Sequence, residues 1–260
     1  MFKQASPPKP ILRTVVVLLA AIIAIATPSF IFATDFGLSA AEFAMDGAST
    51  LRAAGYAFSI WGVIYLGMAL YAIYQSLPAT ANGRALDRMA WPSVVAMLGC
   101  GLWLYASALD AKLATIVIIA TSAGALLYAF WKGGDVAQAT TRQTIFILWP
   151  LGLLAGWLTI ATAINVLTVF TAWDVITPEA APIWAGAGIA LVVLVGLAVT
   201  KRTRLLAYPI PIAWGLAGVY VAEQSEKPEL ALAAAVGAGL LIAFALFRTL
   251  RGRKPVVAHS

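Results

Sequence analysis

Apolar runs of about 20 residues, parted by short polar stretches, recur along the whole chain. A bilayer core about 30 Å thick demands runs of that length from a spanning helix. The pattern predicts eight spans: roughly Ile11–Thr34, Ala54–Leu77, Trp91–Leu109, Leu113–Trp131, Thr144–Thr171, Ala181–Thr200, Leu205–Ala222 and Leu230–Leu250. The runs lack the period-two alternation of a membrane strand, so only helices can satisfy the backbone polar groups in lipid. The expected fold is therefore all-α, a polytopic membrane helix bundle. Lys3, Lys9 and Arg13 precede the first run, as they would in a signal peptide. That run continues past Pro28 to Ala33 with no small-x-small cleavage site behind it, so it reads as a span.

Composition agrees. Hydrophobic residues make up 62% of the 260 and charged residues 11%, which leaves little room for a separate soluble domain. The net charge of +6 would suit nucleic acid if it formed a patch, but the charges sit at the ends of the spans and speak of topology. With both termini cytoplasmic, 14 of the 17 Lys and Arg residues fall on the inner side. Only Arg52, Lys112 and Lys227 fall outside. Nine of the eleven acidic residues lie outside, Asp87 and Asp135 being the exceptions. Seven or nine spans would spoil this bias. The expected location is the inner (cytoplasmic) membrane, with residues 1–10 and 251–260 as cytoplasmic tails.

The loop Asp35–Ala53 is longer than a connection requires and predicts a lid over the bundle mouth. Pro209 and Pro211 fall within the seventh span and should interrupt its first turns. Pro78, Pro92, Pro150, Pro178 and Pro182 sit near span ends, where proline is tolerated. Gly152 and Gly156 form a GxxxG that would admit another helix closely.

Several chemistries lack their residues. A single cysteine, Cys100, excludes an intramolecular disulfide, and the sole histidine, His259, is penultimate, so metal and bis-histidine haem sites are not expected. No mid-span lysine could carry a retinal Schiff base, because Lys112, Lys132 and Lys201 lie at span ends. There are no paired intramembrane carboxylates and no nucleophile–base pair. Asp110 and Asp174 read as solvated charges at helix ends. Catalysis is therefore not the leading expectation.

Two stretches stand out. In Gly55–Leu77, Phe58, Trp61, Tyr65 and Met68 are three or four apart and share one helix face. Such aromatics serve equally as packing or as interface anchors. In the fifth span Trp157, Ala161 and Asn165 share a face, and an asparagine at that depth must find partners inside the bundle. Both stretches resemble the translocator protein (TspO) family, including its larger tryptophan-rich members. Trp61-Gly62 with Ile64-Tyr65 and Met68 resembles its second helix. Trp157, Leu158, Thr162, Ile164 and Asn165 resemble its fifth. Trp103 stands at a third tryptophan position, while Cys100 replaces the family's usual asparagine. Ala53-Ala54-Gly55-Tyr56 replaces its proline-rich start to the second helix, and Leu153-Leu154 replaces its Pro-Tyr pair.

The resemblance covers residues 11–173 and implies a TspO-like five-helix core, followed by a three-helix extension over 174–250. It further implies a pocket for a planar hydrophobic ligand such as a porphyrin, serving sensing, trafficking or disposal. The expected lining is Phe58, Trp61, Tyr65, Trp103, Trp149, Trp157 and Asn165, with Arg52 and Lys112 to meet ligand carboxylates. No cofactor is required, a bound tetrapyrrole being what the resemblance allows, and no nucleic acid partner is expected. Homodimerisation and light-dependent porphyrin degradation are implied by the resemblance alone. The competing expectations are a transporter of a small neutral solute, using the broken seventh span and polar groups such as Asn165 and Thr162, and a structural partner subunit.

Overall fold

The structure, a computed structural model, describes residues 11–77, 84–133 and 139–251. Lys3, Lys9, Pro78, Asp135, Arg253, Lys254, His259 and most of the two tails lie outside them. The helices are α1 (Ile11–Thr34), α2 (Ala40–Met45), α3 (Ile60–Ser76), α4 (Arg84–Ala108), α5 (Lys112–Gly133), α6 (Thr141–Gln143), α7 (Trp149–Ala172), α8 (Ala181–Thr203), α9 (Pro209–Glu223) and α10 (Pro228–Arg251). A 3₁₀ turn, Gly55–Ser59, leads into α3, and a π-helical turn, Thr144–Leu148, leads into α7. No strand occurs among the described residues.

Seven helices are long and apolar enough to cross a bilayer, so the protein is a multi-pass membrane protein. Five of them close a ring: α1 packs on α3, α3 on α7, α7 on α5, α5 on α4, and α4 back on α1. Helices α8, α9 and α10 pack on one another, and α8 and α9 both dock on α7. Helix α7 is thus a wall shared by the ring and the last three helices. Its buried residues include Leu154, Ala155, Trp157, Leu158 and Asn165.

The seventh expected span is built differently. Helix α9 has 15 residues, which at about 1.5 Å per residue falls short of the hydrocarbon thickness. Rather than breaking a helix, Pro209 and Pro211 occupy the first turn of α9, where Pro209's missing N–H removes no helical hydrogen bond. The preceding Leu205–Tyr208 is non-helical yet almost wholly buried. Irregular backbone at such a depth is tolerated only when it is enclosed by protein.

The Gly152/Gly156 pair provides that enclosure, and it receives this segment rather than a regular helix. A Cβ on Gly156 would stand 2.0 Å from the Tyr208 carbonyl oxygen, and one on Gly152 would stand 2.6 Å from Leu205 Cδ2. The Tyr208 hydroxyl lies 2.9 Å from that of Thr159. Pro92 also differs from expectation. It lies inside α4, because that helix begins two turns earlier, at Arg84.

Charge divides the bundle into two ends. At one, Arg13 pairs with Asp87, Arg88 donates to the Gly133 carbonyl (3.2 Å), Arg202 to Trp131 (3.2 Å) and Arg248 to Lys201 (3.0 Å). The last helical carbonyls thereby gain cationic donors. The other end gathers Arg52, Lys112 and Lys227 with the carboxylates of its loops.

Replacing Gly156 by alanine should lower stability by about 1–3 kcal/mol, because a backbone carbonyl blocks the new methyl group. Gly186→Ala, whose Cβ would meet nothing within 4 Å, is the control. Thermal unfolding of both variants in detergent checks this. Equal melting temperatures would mean that the Leu205–Tyr208 segment moves aside freely.

Candidate functional site

The five-helix ring encloses a cavity of about 340 Å³ that reaches up to the acidic end. Three or four residues part Phe58, Trp61 and Tyr65, and the turn and helix carry all three to its wall. The fourth member of that stripe, Met68, is wholly buried in the core instead. Helix α7 contributes Trp157, Ala161, Ile164, Asn165 and Thr168, one helical stripe. Helix α4 adds Gly99, Cys100 and Trp103, and α5 adds Ile119 and Ser122.

The rings are set mostly edge to face, the favourable arrangement of their quadrupoles. Trp61 meets Trp157 at 6.2 Å and 80°, Phe58 meets Trp157 at 6.3 Å and 75°, and Phe43 meets Trp103 at 5.9 Å and 84°. Trp61 stacks on Tyr65 at 5.1 Å. Asn165 is 4% exposed, and its side chain is spoken for on both sides. Trp103 Nε1 donates to its Oδ1 (3.0 Å), and its Nδ2 donates to Thr115 Oγ1 (3.1 Å). It ties α7 to α4 and α5, and so fixes the Trp103 ring at the cavity wall.

The expected lid is present. Within it, α2 lies over the cavity and supplies Ala40, Ala41, Phe43, Ala44 and Met45 to the lining. A capping box starts α2: the Ser39 N–H donates to Glu42 (2.8 Å) and the Glu42 N–H to Ser39 Oγ (3.1 Å). The Ser39 backbone and hydroxyl hold the Glu42 carboxyl below its ordinary pKa. The loop then drops onto α7, where a Cβ on Gly47 would stand 2.5 Å from Thr168 Oγ1, and the Thr50 and Thr171 hydroxyls meet at 2.7 Å.

Ion pairs clamp the lid at two places. Lys112 of α5 meets Asp46 at 3.0 Å and Asp110 at 2.5 Å. On the other side the Arg52 N–H donates to Glu223 Oε1 (2.8 Å), and Arg52 Nη2 meets Glu226 at 3.0 Å. Lys227 lies 3.3 Å from Glu223 and donates to the carbonyls of Ala48 (3.0 Å) and Thr50 (3.2 Å). Glu223 is fully buried, and two cations neutralise it. Helix α9 also braces the turn that presents Phe58. The Ala54 N–H donates to Gly218 O (2.9 Å), and Trp214 Nε1 donates to Ala57 O (2.9 Å).

Six of the seven residues expected to line a ligand pocket therefore face one cavity. Trp149 does not. It is 40% exposed at the start of α7, eight residues and about 12 Å before Trp157 and turned by about 80° from it. Arg52 borders the cavity, whereas Lys112 is not part of its wall; both are engaged by carboxylates. Sequence reasoning missed Phe43, Met45 and Gly215, which reach the cavity through the lid and α9. The capping box Ser39–Glu42 was the available signal for α2. Among the described residues no group of three or more His, Cys, Asp or Glu could hold a metal ion.

The fold and site define a class: a multi-pass helical membrane protein with an aromatic-lined cavity beneath a clamped lid. A family model described as TSPO-like protein matches residues 11–247, and the chain belongs to that family. The match continues past the ring through most of α10. Searches of curated proteins and of solved structures found no match.

Glu223→Gln keeps the side chain's shape and an acceptor for the Arg52 N–H but removes the charge that both cations meet. Amide hydrogen exchange over residues 39–52 should rise about tenfold, the measure of a loosened local opening equilibrium. Exchange that stays at the wild-type rate would show that the ion pairs do not hold the lid.

Proposed function

We propose that the protein binds a planar, mostly apolar ligand of the tetrapyrrole kind in this cavity, for sensing, trafficking or disposal. One observation carries the reading. Phe43, Phe58, Trp61, Tyr65, Trp103 and Trp157 come from five separate elements and line a single cavity, with no carboxylate in its wall. Flat rings meeting edge to face leave π faces and ring edges for a flat guest, and the volume falls in the usual range of about 300–1,000 Å³ for small-molecule sites. A tetrapyrrole would stack on the face of one of Trp61 and Trp157 and meet the edge of the other, with Phe43 and Met45 of the lid closing over it. The lining contains no histidine, and the aromatic residues present fit a ring held by its faces.

The transporter reading drew on a broken seventh span and on polar groups such as Asn165 and Thr162. Pro209 and Pro211 start α9 outside the cavity lining, and Asn165 and Thr162 are hydrogen-bonded within the protein, which weakens that reading. The basic end belongs in the cytoplasm by the positive-inside rule, so the lid faces the opposite side of an inner membrane.

The test is a titration of purified protein in nanodiscs with protoporphyrin, offered as the free acid and as its dimethyl ester, read by tryptophan quenching. Saturable binding of at least one form is expected, and Trp61→Phe/Trp157→Phe should weaken it about tenfold or more. Quenching that is equal in both proteins would show only partitioning into lipid and would remove the reading.

A further inference from the structure

The charges at the cavity mouth have a consequence for which guests it admits. The acidic end holds nine carboxylates (Asp35, Glu42, Asp46, Asp110, Asp174, Glu179, Glu223, Glu226 and Glu229) against three basic side chains, a net charge of −6. All three basic side chains are spent on the lid. Lys112 lies between Asp46 and Asp110, Lys227 holds Glu223 and two lid carbonyls, and Arg52 holds Glu226, Glu223 and the Ala222 carbonyl (3.3 Å). Of these three, Arg52 alone borders the cavity.

A ligand carboxylate entering here would have to compete with Glu226 and Glu223 for Arg52. It would also meet the remaining acidic field, and unclasp the lid that closes the site. Stripping water from a carboxylate without supplying a cation is costly, and like charges across an interface oppose binding. An uncharged ring system meets neither penalty, and the aromatic wall that would stack on it is unaffected by the charge at the mouth.

We infer that the cavity selects a planar ligand without carboxylates, and that the acidic mouth, whose three basic side chains are each engaged by carboxylates, is the selectivity filter that rejects dianionic tetrapyrroles. The inference rests on the aromatic-cavity reading above and deepens it by naming the charge class of the ligand. Glu226 has a specific part. It is the exposed carboxylate on Arg52, and it keeps that guanidinium from serving as an anion site.

The experiment compares protoporphyrin, a dicarboxylic acid, with its dimethyl ester, which has the same ring system and no charge. Both are titrated into wild type, Glu226→Gln and Trp61→Phe/Trp157→Phe in nanodiscs of neutral lipid, the last variant giving the background from lipid partitioning. The saturable component should be about tenfold or more tighter for the ester in wild type, and raising the salt should narrow that gap. Glu226→Gln should narrow it severalfold by improving acid binding, with ester binding changing much less because Glu223 still holds Arg52 and Lys227 at the lid. The acid binding as tightly as the ester, or a gap that Glu226→Gln leaves untouched, would overturn the filter while leaving the aromatic cavity standing. Absence of saturable binding by either form would instead overturn the cavity reading, and the filter with it.

Discussion

The close approach of α7 to the Leu205–Tyr208 segment is the contact on which the rest of the molecule depends. A membrane interior offers no water to spare a backbone group, so a non-helical stretch survives only where protein surrounds it. Gly156 lets the Tyr208 carbonyl come nearer than any side chain would allow, and Thr159 lies within hydrogen-bond reach of the Tyr208 hydroxyl. That docking sets where α9 begins. The position of α9 in turn supports the backbone of Ala54 and Ala57, and hence the turn that presents Phe58. The last three helices thus shape the cavity from behind while adding almost nothing to its wall.

A second theme is that Asn165, Trp103 and Ser122 at the cavity wall make their hydrogen bonds to the protein rather than to the space inside it. Asn165 and Trp103 satisfy each other, and Thr115 takes the remaining amide hydrogen bond. At the mouth, cations and carboxylates pair across the lid seam, and Glu223 is buried where Arg52 and Lys227 converge. Burying a carboxylate is tolerable only with such partners, and removing one of them leaves an uncompensated charge. The result is a cavity whose inner surface is mainly aromatic and aliphatic, under a lid whose closure is electrostatic. Recognition and closure therefore depend on different physics, and salt and charge substitution act on them separately.

Most of the helical architecture was legible in the chain. Run length and the absence of period-two alternation implied a helical bundle, and seven of the eight expected spans are helices of spanning length. Spacing placed Phe58, Trp61 and Tyr65 on one face, and Trp157 with Asn165 on another, because a helix returns to the same side every three or four residues. Trp149 failed that logic. It shares a sequence neighbourhood with Trp157 but not a rotational position, and it lies two turns further toward the start of α7. The prolines were read correctly as an interruption and incorrectly as lying within a helix, since sequence alone does not say whether a helix bends or starts there.

What the sequence determined by itself was local and periodic: which segments are apolar enough to enter lipid, which faces are aromatic, and which loops carry each sign of charge. These properties follow from neighbours a few residues apart. The tertiary structure decided everything that needed residues from distant segments to meet. It brought Phe43 onto Trp103, aimed Gly152 and Gly156 at an irregular segment rather than a helix, and gave Arg52 and Lys112 to the lid instead of leaving them open at the mouth. An unpaired cation and a clamped one are the same letter in a sequence. Their difference lies in carboxylates up to 174 positions away, which only the packing of α9 and the turn before α10 brings within reach.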